Sequence, residues 1–513
     1  MRNKDYMDLM VEFQHKFSPH KWRVESVHLW PMIRISWTMA MHFSGDKSYS
    51  RIDRKGLVGK SSLSRLYNNI TRKLGEFYSC YRAKYQDRGT NQYALISADV
   101  LFFTYSINRS KLKGCWYNRL TSRLFSYFQK NGFKCLNWER GNYGDYRIPR
   151  SESSAFYQTE IDICIQLSRF KAMPVIEQKT KDEIQRGIDW VSSMTSNSVE
   201  LPGLDFIHKQ SRILLNLKNF FVSKLRQVRP KLVYTTCYYS IDSWALMAAC
   251  HELGIITVDL QHGQQGSLHQ AYGLWGEIPV NGYEIMPNYF WNWRKEDSEA
   301  IMQWASGTSK HEAFAVGNLW INEWIQDESE IVQLYDQILN ESIDESVDLN
   351  LLFTVHLDYL PEFQWEVIRR SPSNWKWWIR LHPSQLDLID KVKNFVGETR
   401  CQVDIDLATS LPLYALLRMV NIHFTGWSST MIEAEQMGVK SIFMDPKGMD
   451  FCPNVYQRGN SFLGDNAELV MELIESQNNL VNPISMEEVG FVGTEETKNH
   501  LEKTLEKLVD SDN

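Results

Sequence analysis

Three short stretches of this 513-residue chain put titratable or hydroxyl-bearing side chains where apolar runs stop. In "IITVDLQHG" (255–263) a β-branched run ends on Gln261, His262 and Gly263. A neutral imidazole there can take a proton from an attacking hydroxyl, its unperturbed pKa being about 6.5. The glycine leaves space and backbone freedom beside it. A histidine bonded to backbone in the core would look the same. Gln264, Gln265, His269, Tyr272 and Trp275 follow and suit hydrogen bonding and stacking with a sugar ring.

In "IRLHPSQ" (379–385), Arg380 and His382 emerge at the end of an aromatic strand that Pro383 stops. The imidazole can donate to a phosphoryl oxygen, although a surface-turn histidine also fits. In "FTGWSSTMIEAEQMGVKSIFMD" (424–445), Gly426, Ser428 and Ser429 form a small turn before a helix opening at Ser429–Thr430. Free N–H groups at such a helix start attract phosphate, and Glu433 one turn inside can accept from ribose hydroxyls. The same residues also make an ordinary capping box. "AVGNLW" (315–320) sets Gly317 and Asn318 after another short strand, as a further contact to donor or acceptor.

The flanking elements say how these stretches are positioned. "SADVLFFTY" (97–105) reads as a buried strand, "YNRLTSRLFSYFQKNG" (117–132) as a helix and "GFKCLNW" (132–138) as the next strand. Residues 150–200 read as polar and helix-prone. An amphipathic helix then stops at Pro230, and "KLVYTTCYY", a helix closed by Gly254, and "IITVDLQHG" continue the alternation. Strand, helix, strand implies a parallel sheet, with ligands bound at the strands' carboxyl ends. A second series begins with "LNLLFTVH" and ends with "VKSIFMDP". The expected organisation is a mostly helical extension (1–90), a first Rossmann-like domain that takes the acceptor (91–325), a second that binds the nucleotide (326–490) and a terminal helix (491–513).

Composition excludes several classes. A net charge of -6 and pI near 6.1 argue against a dedicated nucleic-acid binder. Eight cysteines without CxxC spacing read as reduced thiols of a cytoplasmic protein. The start of the chain lacks the features of a secretory signal, and the most apolar stretch, "SVHLWPMIRISWTMAMHF", is interrupted by Arg34, so a buried helix is expected and any membrane association is peripheral. "RKGLVGKSS" (54–62) fails the phosphate-loop test because its glycines are too close together. "VDIDL" (403–407) contains a D-x-D, too little to predict a metal, and no metal or cofactor is expected.

Two α/β domains with "LQHG" in the first, and "HP" then "SS…E" in the second, resemble the GT-B glycosyltransferases. The likeness is to bacterial enzymes of surface-polysaccharide assembly: CMP-sugar sialyl and Kdo transferases and CDP-glycerol glycerophosphotransferases. It covers roughly residues 230–455. It implies that His382, Ser428 and Ser429 hold the nucleotide phosphates; from the residues themselves, Arg380, Thr430, Glu433 and Gly426 are expected beside them. It implies His262 as base. The donor would be a CMP- or CDP-linked sugar, the acceptor lipid-linked or an oligosaccharide, and the setting the cytoplasmic face of the inner membrane. "HGQQG" departs from the basic residue those glycerophosphotransferases carry after the His-Gly. Transfer of a polyol phosphate, UDP-sugar 2-epimerisation and non-catalytic sugar binding are the rival readings.

Overall fold

The computed structural model describes residues 3–43, 96–142, 148–195, 199–325, 329–355, 362–476, 484 and 494–510. The "RKGLVGKSS" stretch lies outside them.

Apolar, β-branched and aromatic runs form two sheets in which every strand pair is parallel. The first sheet has the order Glu312–Ala315, Tyr289–Asn292, Ile256–Leu260, Leu232–Thr236, Val100–Tyr105, Cys135–Arg140, Ser154–Phe156. The second runs Gln402–Asp404, Trp375–Leu381, Leu349–Val355, Ile422–Thr425, Lys440–Phe443, Ser461–Leu463. This is the expected pair of Rossmann-like domains facing a cleft, the GT-B arrangement. Strand order reverses between Val100–Tyr105 and Leu232–Thr236 in the first sheet, and between Leu349–Val355 and Ile422–Thr425 in the second. Crevices open at such reversals, outside the strands' carboxyl ends. Strands buried on both faces need continuous apolar sequence, and Val100–Phe103 are all 0% exposed.

One segment behaves differently from its reading as sequence. The helix after the first strand begins only at Ser122, because Arg109–Leu112 and Cys115–Asn118 form an antiparallel hairpin ahead of it. Lys113 and Gly114 both have positive φ, the geometry of a two-residue turn that matches strand twist. The D-x-D pair does local work: Asp404 Oδ1 accepts from Leu407 N at 2.9 Å, and Asp406 pairs with Lys393 at 2.8 Å.

Residues 3–43 pack into the first domain's core. Phe13 stacks on Phe17 and Trp30 and meets Trp22 and Trp37 edge-on. The helix Trp30–Phe43 is buried, as expected, and its Arg34 is fully enclosed. The guanidinium donates to the carbonyls of Gly273 (2.8 Å) and Leu274 (3.0 Å) and lies 4.0 Å over the Trp275 ring. It thereby braces the loop that follows the His-Gly turn. The helix Thr494–Asp510 crosses back to the first domain, where Thr497 Oγ1 donates to the Val316 carbonyl at 2.5 Å and Leu501 joins the apolar cluster with Val100 and Phe102. None of the helices among the described residues is long and apolar enough to cross a membrane.

Candidate functional site

A cavity of about 370 Å3 lies at the reversal point of the second sheet and is roofed by the first domain's hairpin. That volume falls in the range of about 300–1,000 Å3 usual for small-molecule sites. Its floor is set by register. Thr354 lies beside Arg380 on one side and Thr425 on the other, so three polar side chains share one level of the sheet. His382, Ser428, Ser429, Thr430 and Glu433 complete the second-domain wall, and Arg109, Ser110 and Arg119 come from the first domain.

Arg380, Thr354, Thr430 and Glu433 are held from behind. Arg380 Nη1 donates to the carbonyls of Ala408 (2.6 Å), Thr409 (3.3 Å) and Leu411. Burial, with the charge of Arg119 adding to it, lowers its pKa to about 10, so it stays cationic at neutral pH. His382 sits exposed at the strand end, and its carbonyl accepts from Gln385 N at 2.9 Å. Thr430 and Thr354 hydroxyls are tied to each other (3.2 Å) and to the buried His423 ring (3.3 and 2.8 Å). His423 in turn meets Ser441 Oγ at 2.9 Å. Gly426 is buried at the strand end, where it brings the chain into the serine turn.

The serine turn differs from the expected helix-end cradle. The helix Thr430–Gln436 has only 7 residues. Its first amides have local partners: Thr430 N bonds Ser428 Oγ (3.3 Å), Met431 N bonds Ser428 O (3.2 Å) and Ile432 N bonds Ser429 O (2.9 Å). What the turn offers a ligand is therefore hydroxyl groups, with Arg380 supplying positive charge beside them. Glu433 is 4% exposed, accepts from the Tyr414 hydroxyl at 2.5 Å and lies 3.6 Å from Arg119 Nη1. Burial and the adjacent Glu433 hold Tyr414 in its protonated, donating form.

The opening stretch meets this wall across the cleft. A Cβ built on Gly263 would stand 3.5 Å from Ser429 Oγ, so the His-Gly turn and the serine turn are in contact distance. A methyl group at 263 would make ordinary van der Waals contact with that hydroxyl. His262 beside it is half-buried and outside the cavity lining. Its Nε2 is 3.5 Å from the Tyr239 hydroxyl, and Nδ1 makes no hydrogen bond. Burial first, then the positive field of Arg119, lowers its pKa to about 4, with the Leu260 carbonyl working the other way. The imidazole is thus neutral at physiological pH, well below the expected value near ~6.5.

Several residues expected to touch a sugar do something else. Gln261 is 1% exposed: Nε2 donates to the Gly263 carbonyl and to Asp297 Oδ2, both at 3.0 Å, and Oε1 accepts from Trp293 N at 2.6 Å. It shapes the His-Gly turn from inside. Tyr272 is 0% exposed and donates to Asp259 at 2.7 Å, so it cannot meet a ligand in the cleft. Trp275 lies in the core under Arg34. His269 Nδ1 accepts from Ala271 N at 3.1 Å, its ring packs against Tyr239 and Tyr272, and burial lowers its pKa to about 3. Gln265 is buried against Asn292, while Gln264 stays half-buried on the turn. Asn318 caps the helix Leu319–Trp324 through Trp320 N (3.0 Å) and reaches Tyr414 at 3.4 Å.

A buried ionic network joins the same two turns. Arg294 binds Asp297 through two nitrogens (3.0 and 3.1 Å) and reaches Glu435 at 3.4 Å. Glu435, on the helix that starts at Thr430, also holds Arg458 (3.0 and 2.6 Å) and Asn460 (2.9 Å). Losing one partner of such a buried pair costs about 3–5 kcal/mol, because a charge is left unpaired. Beside it Trp293 packs with Met431, Ile432, Phe443 and Val455 of the second domain.

Sequence reasoning missed Arg119, Tyr414, Thr354 and the Arg294 network. Only the Lys113–Gly114 turn carried a local signal, for the hairpin that precedes Arg119. Among the described residues no cluster has the makings of a metal site.

No family model and no curated protein matches the chain. Solved structures do. A UDP-GlcNAc 2-epimerase from Neisseria meningitidis bound to UDP-GlcNAc shares 12% identity over 79% of this chain and 99% of its own, with a TM-score of 0.47. The wall teichoic acid polymerase TagF shares 9% over 86% and 99%, TM-score 0.47. The spinosyn rhamnosyltransferase SpnG complexed with spinosyn aglycone shares 10% over 74% and 91%, TM-score 0.39. Similarity this low carries no residue role or substrate across to this chain.

Proposed function

We propose that the chain is a glycosyltransferase that moves a sugar from a nucleotide-activated donor to a cell-surface polysaccharide. The observation that carries this reading is the meeting of Gly263 with Ser429, which sets a neutral imidazole beside a hydroxyl-rich, cationic cavity. In the proposed reaction the nucleotide lies in the second domain, with Arg380, His382, Ser428 and Ser429 on phosphate. Glu433 takes a ribose hydroxyl, and Arg119 fixes Glu433 in place. The acceptor oxygen bonds to the anomeric carbon as the bond from that carbon to the phosphate oxygen breaks. The acceptor's proton goes to His262, and the leaving phosphate keeps the electron pair. Preset donors around that phosphate stabilise the charge it gains. His262 as base suits inversion; under retention it would position the donor. The donor is CMP- or CDP-linked and the acceptor lipid-linked or an oligosaccharide, on the cytoplasmic side.

The test is a thermal-shift screen against CMP, CDP, UDP, GDP and their sugars, using wild type and the Arg380→Ala, Ser429→Ala double variant. At about 100 times Kd a ligand adds about 2.7 kcal/mol, which raises Tm by a few degrees. One nucleotide class should stabilise wild type and leave the variant unchanged. Equal shifts in both proteins would place the nucleotide elsewhere, and no shift with any nucleotide would remove the donor site. Conversion of a UDP-sugar without acceptor would favour the epimerase reading, and a product heavier by a polyol phosphate would favour the polyol-phosphate one.

A further inference from the structure

Large apolar side chains that stay strongly exposed are concentrated, among the described residues, in one stretch of the chain. Ile163 is 53% exposed, Leu167 51%, Phe170 74%, Met173 45% and Val175 84%. These are five of the fourteen such side chains among the described residues, gathered within thirteen positions. Ile163 and Leu167 are one turn apart on the helix Gln158–Ser168, so they share a face. Phe170, Met173 and Val175 stand on the loop that continues from it. A soluble surface scatters exposed apolar groups singly; a contiguous set marks an interaction face.

Charge identifies the partner. Residues 163–176, "ICIQLSRFKAMPVI", hold no Asp or Glu, while Arg169 and Lys171 flank the most exposed ring. Arg169 lies 4.9 Å over the Phe170 ring, and Arg212 Nη1 donates to the Arg169 carbonyl at 3.5 Å, which brings a third cation to the patch. The acids nearest in sequence, Asp162 and Glu177, stand outside the two ends. Apolar tips that enter an acyl region, ringed by cations that meet anionic headgroups, are the two elements of interfacial membrane binding. The patch ends a helix that runs away from the strands' carboxyl ends, so it lies apart from the cleft and uses none of its residues.

We propose that the 163–175 surface docks the first domain on an anionic lipid bilayer. This stands whether or not the transferase reading holds, since vesicle binding needs no turnover. The experiment is sedimentation of the full chain with phosphatidylcholine vesicles containing about a third phosphatidylglycerol. Wild type should bind these at least about tenfold more tightly than pure phosphatidylcholine, since each cation near the surface adds about fivefold. Phe170→Ser with Val175→Ser should abolish binding, and Arg169→Glu with Lys171→Glu should remove its dependence on anionic lipid. Unchanged Tm and nucleotide affinity in both variants would show that fold and cleft are intact. Failure of wild type to bind anionic vesicles, or full binding by the serine variant, would overturn the proposal. So would a wild-type dimer that the serine variant converts to monomer, because the patch would then face a second copy.

Discussion

Replacing His262 with alanine should lower transfer by about a thousandfold while nucleotide Kd changes by less than about threefold. The asymmetry follows from placement. His262 belongs to the first domain and lies outside the cavity wall, so it adds little to the nucleotide's contacts. It stands next to Gly263, which faces Ser429, and the proposed reaction brings the attacking group to it from that side. Its pKa of about 4 sharpens the prediction. An imidazole neutral above that value stays in its proton-accepting form across the physiological range, so kcat/KM should be flat from about pH 5 to 8 and fall toward pH 4. A profile with a limb near pH 6.5 would assign the base to a less buried group. A variant that turns over normally would remove His262 from the mechanism. Steady-state rates paired with calorimetric nucleotide binding separate these results.

The second large effect is acid instability. Burial lowers the pKa of His262 to about 4 and of His269, His311 and His423 to about 3, from 6.5. Each is neutral in the fold, whereas the unfolded chain protonates it below pH 6.5. The stability these groups confer is therefore complete above pH 6.5 and lost as pH falls toward their folded values. Asp259 acts in the opposite sense. Burial raises its pKa to about 7 from 3.8, so between those values the fold holds a proton that the unfolded chain releases. Near pH 5 the unfolded state then takes up about three more protons than the fold, and stability falls by about 4 kcal/mol per pH unit. Set against a total of about 5–15 kcal/mol, that slope unfolds the protein near pH 4. Urea midpoints measured from pH 7 to 4 check it, and His423→Gln should reduce the slope by about one proton. A midpoint unchanged between pH 7 and 5 would refute the burial argument.

How far these features could be read in the sequence depended on the length scale of the interaction. Strands such as Val100–Tyr105 and Leu349–Val355 were legible because a two-face-buried parallel strand must be apolar throughout. The ends of Trp375–Leu381 and Ile422–Thr425 pointed to the cleft, and with them Arg380, His382 and the serine turn. Arg119 and Tyr414 were not legible, because neither has local spacing that signals a role, and each acquires one only by meeting Glu433 in space. Gln261 and Tyr272 were misread for the converse reason. A polar side chain looks available in sequence, yet Asp297, Trp293 N and Asp259 had already satisfied these two from within. The serine turn was half legible: its residues and place held, but a 7-residue helix whose first amides bond Ser428 and Ser429 offers hydroxyls in place of free N–H groups.

The most direct test of the central claim, that donor phosphate sits between the serine turn and the His-Gly turn, is a crystal structure with the nucleotide that the screen selects. The account predicts phosphate oxygens within hydrogen-bond reach of Ser428 or Ser429 and of Arg380, with the sugar end directed toward His262. Density for the nucleotide outside this cavity, or bound within it with its phosphates turned away from residues 428–429, would contradict the account.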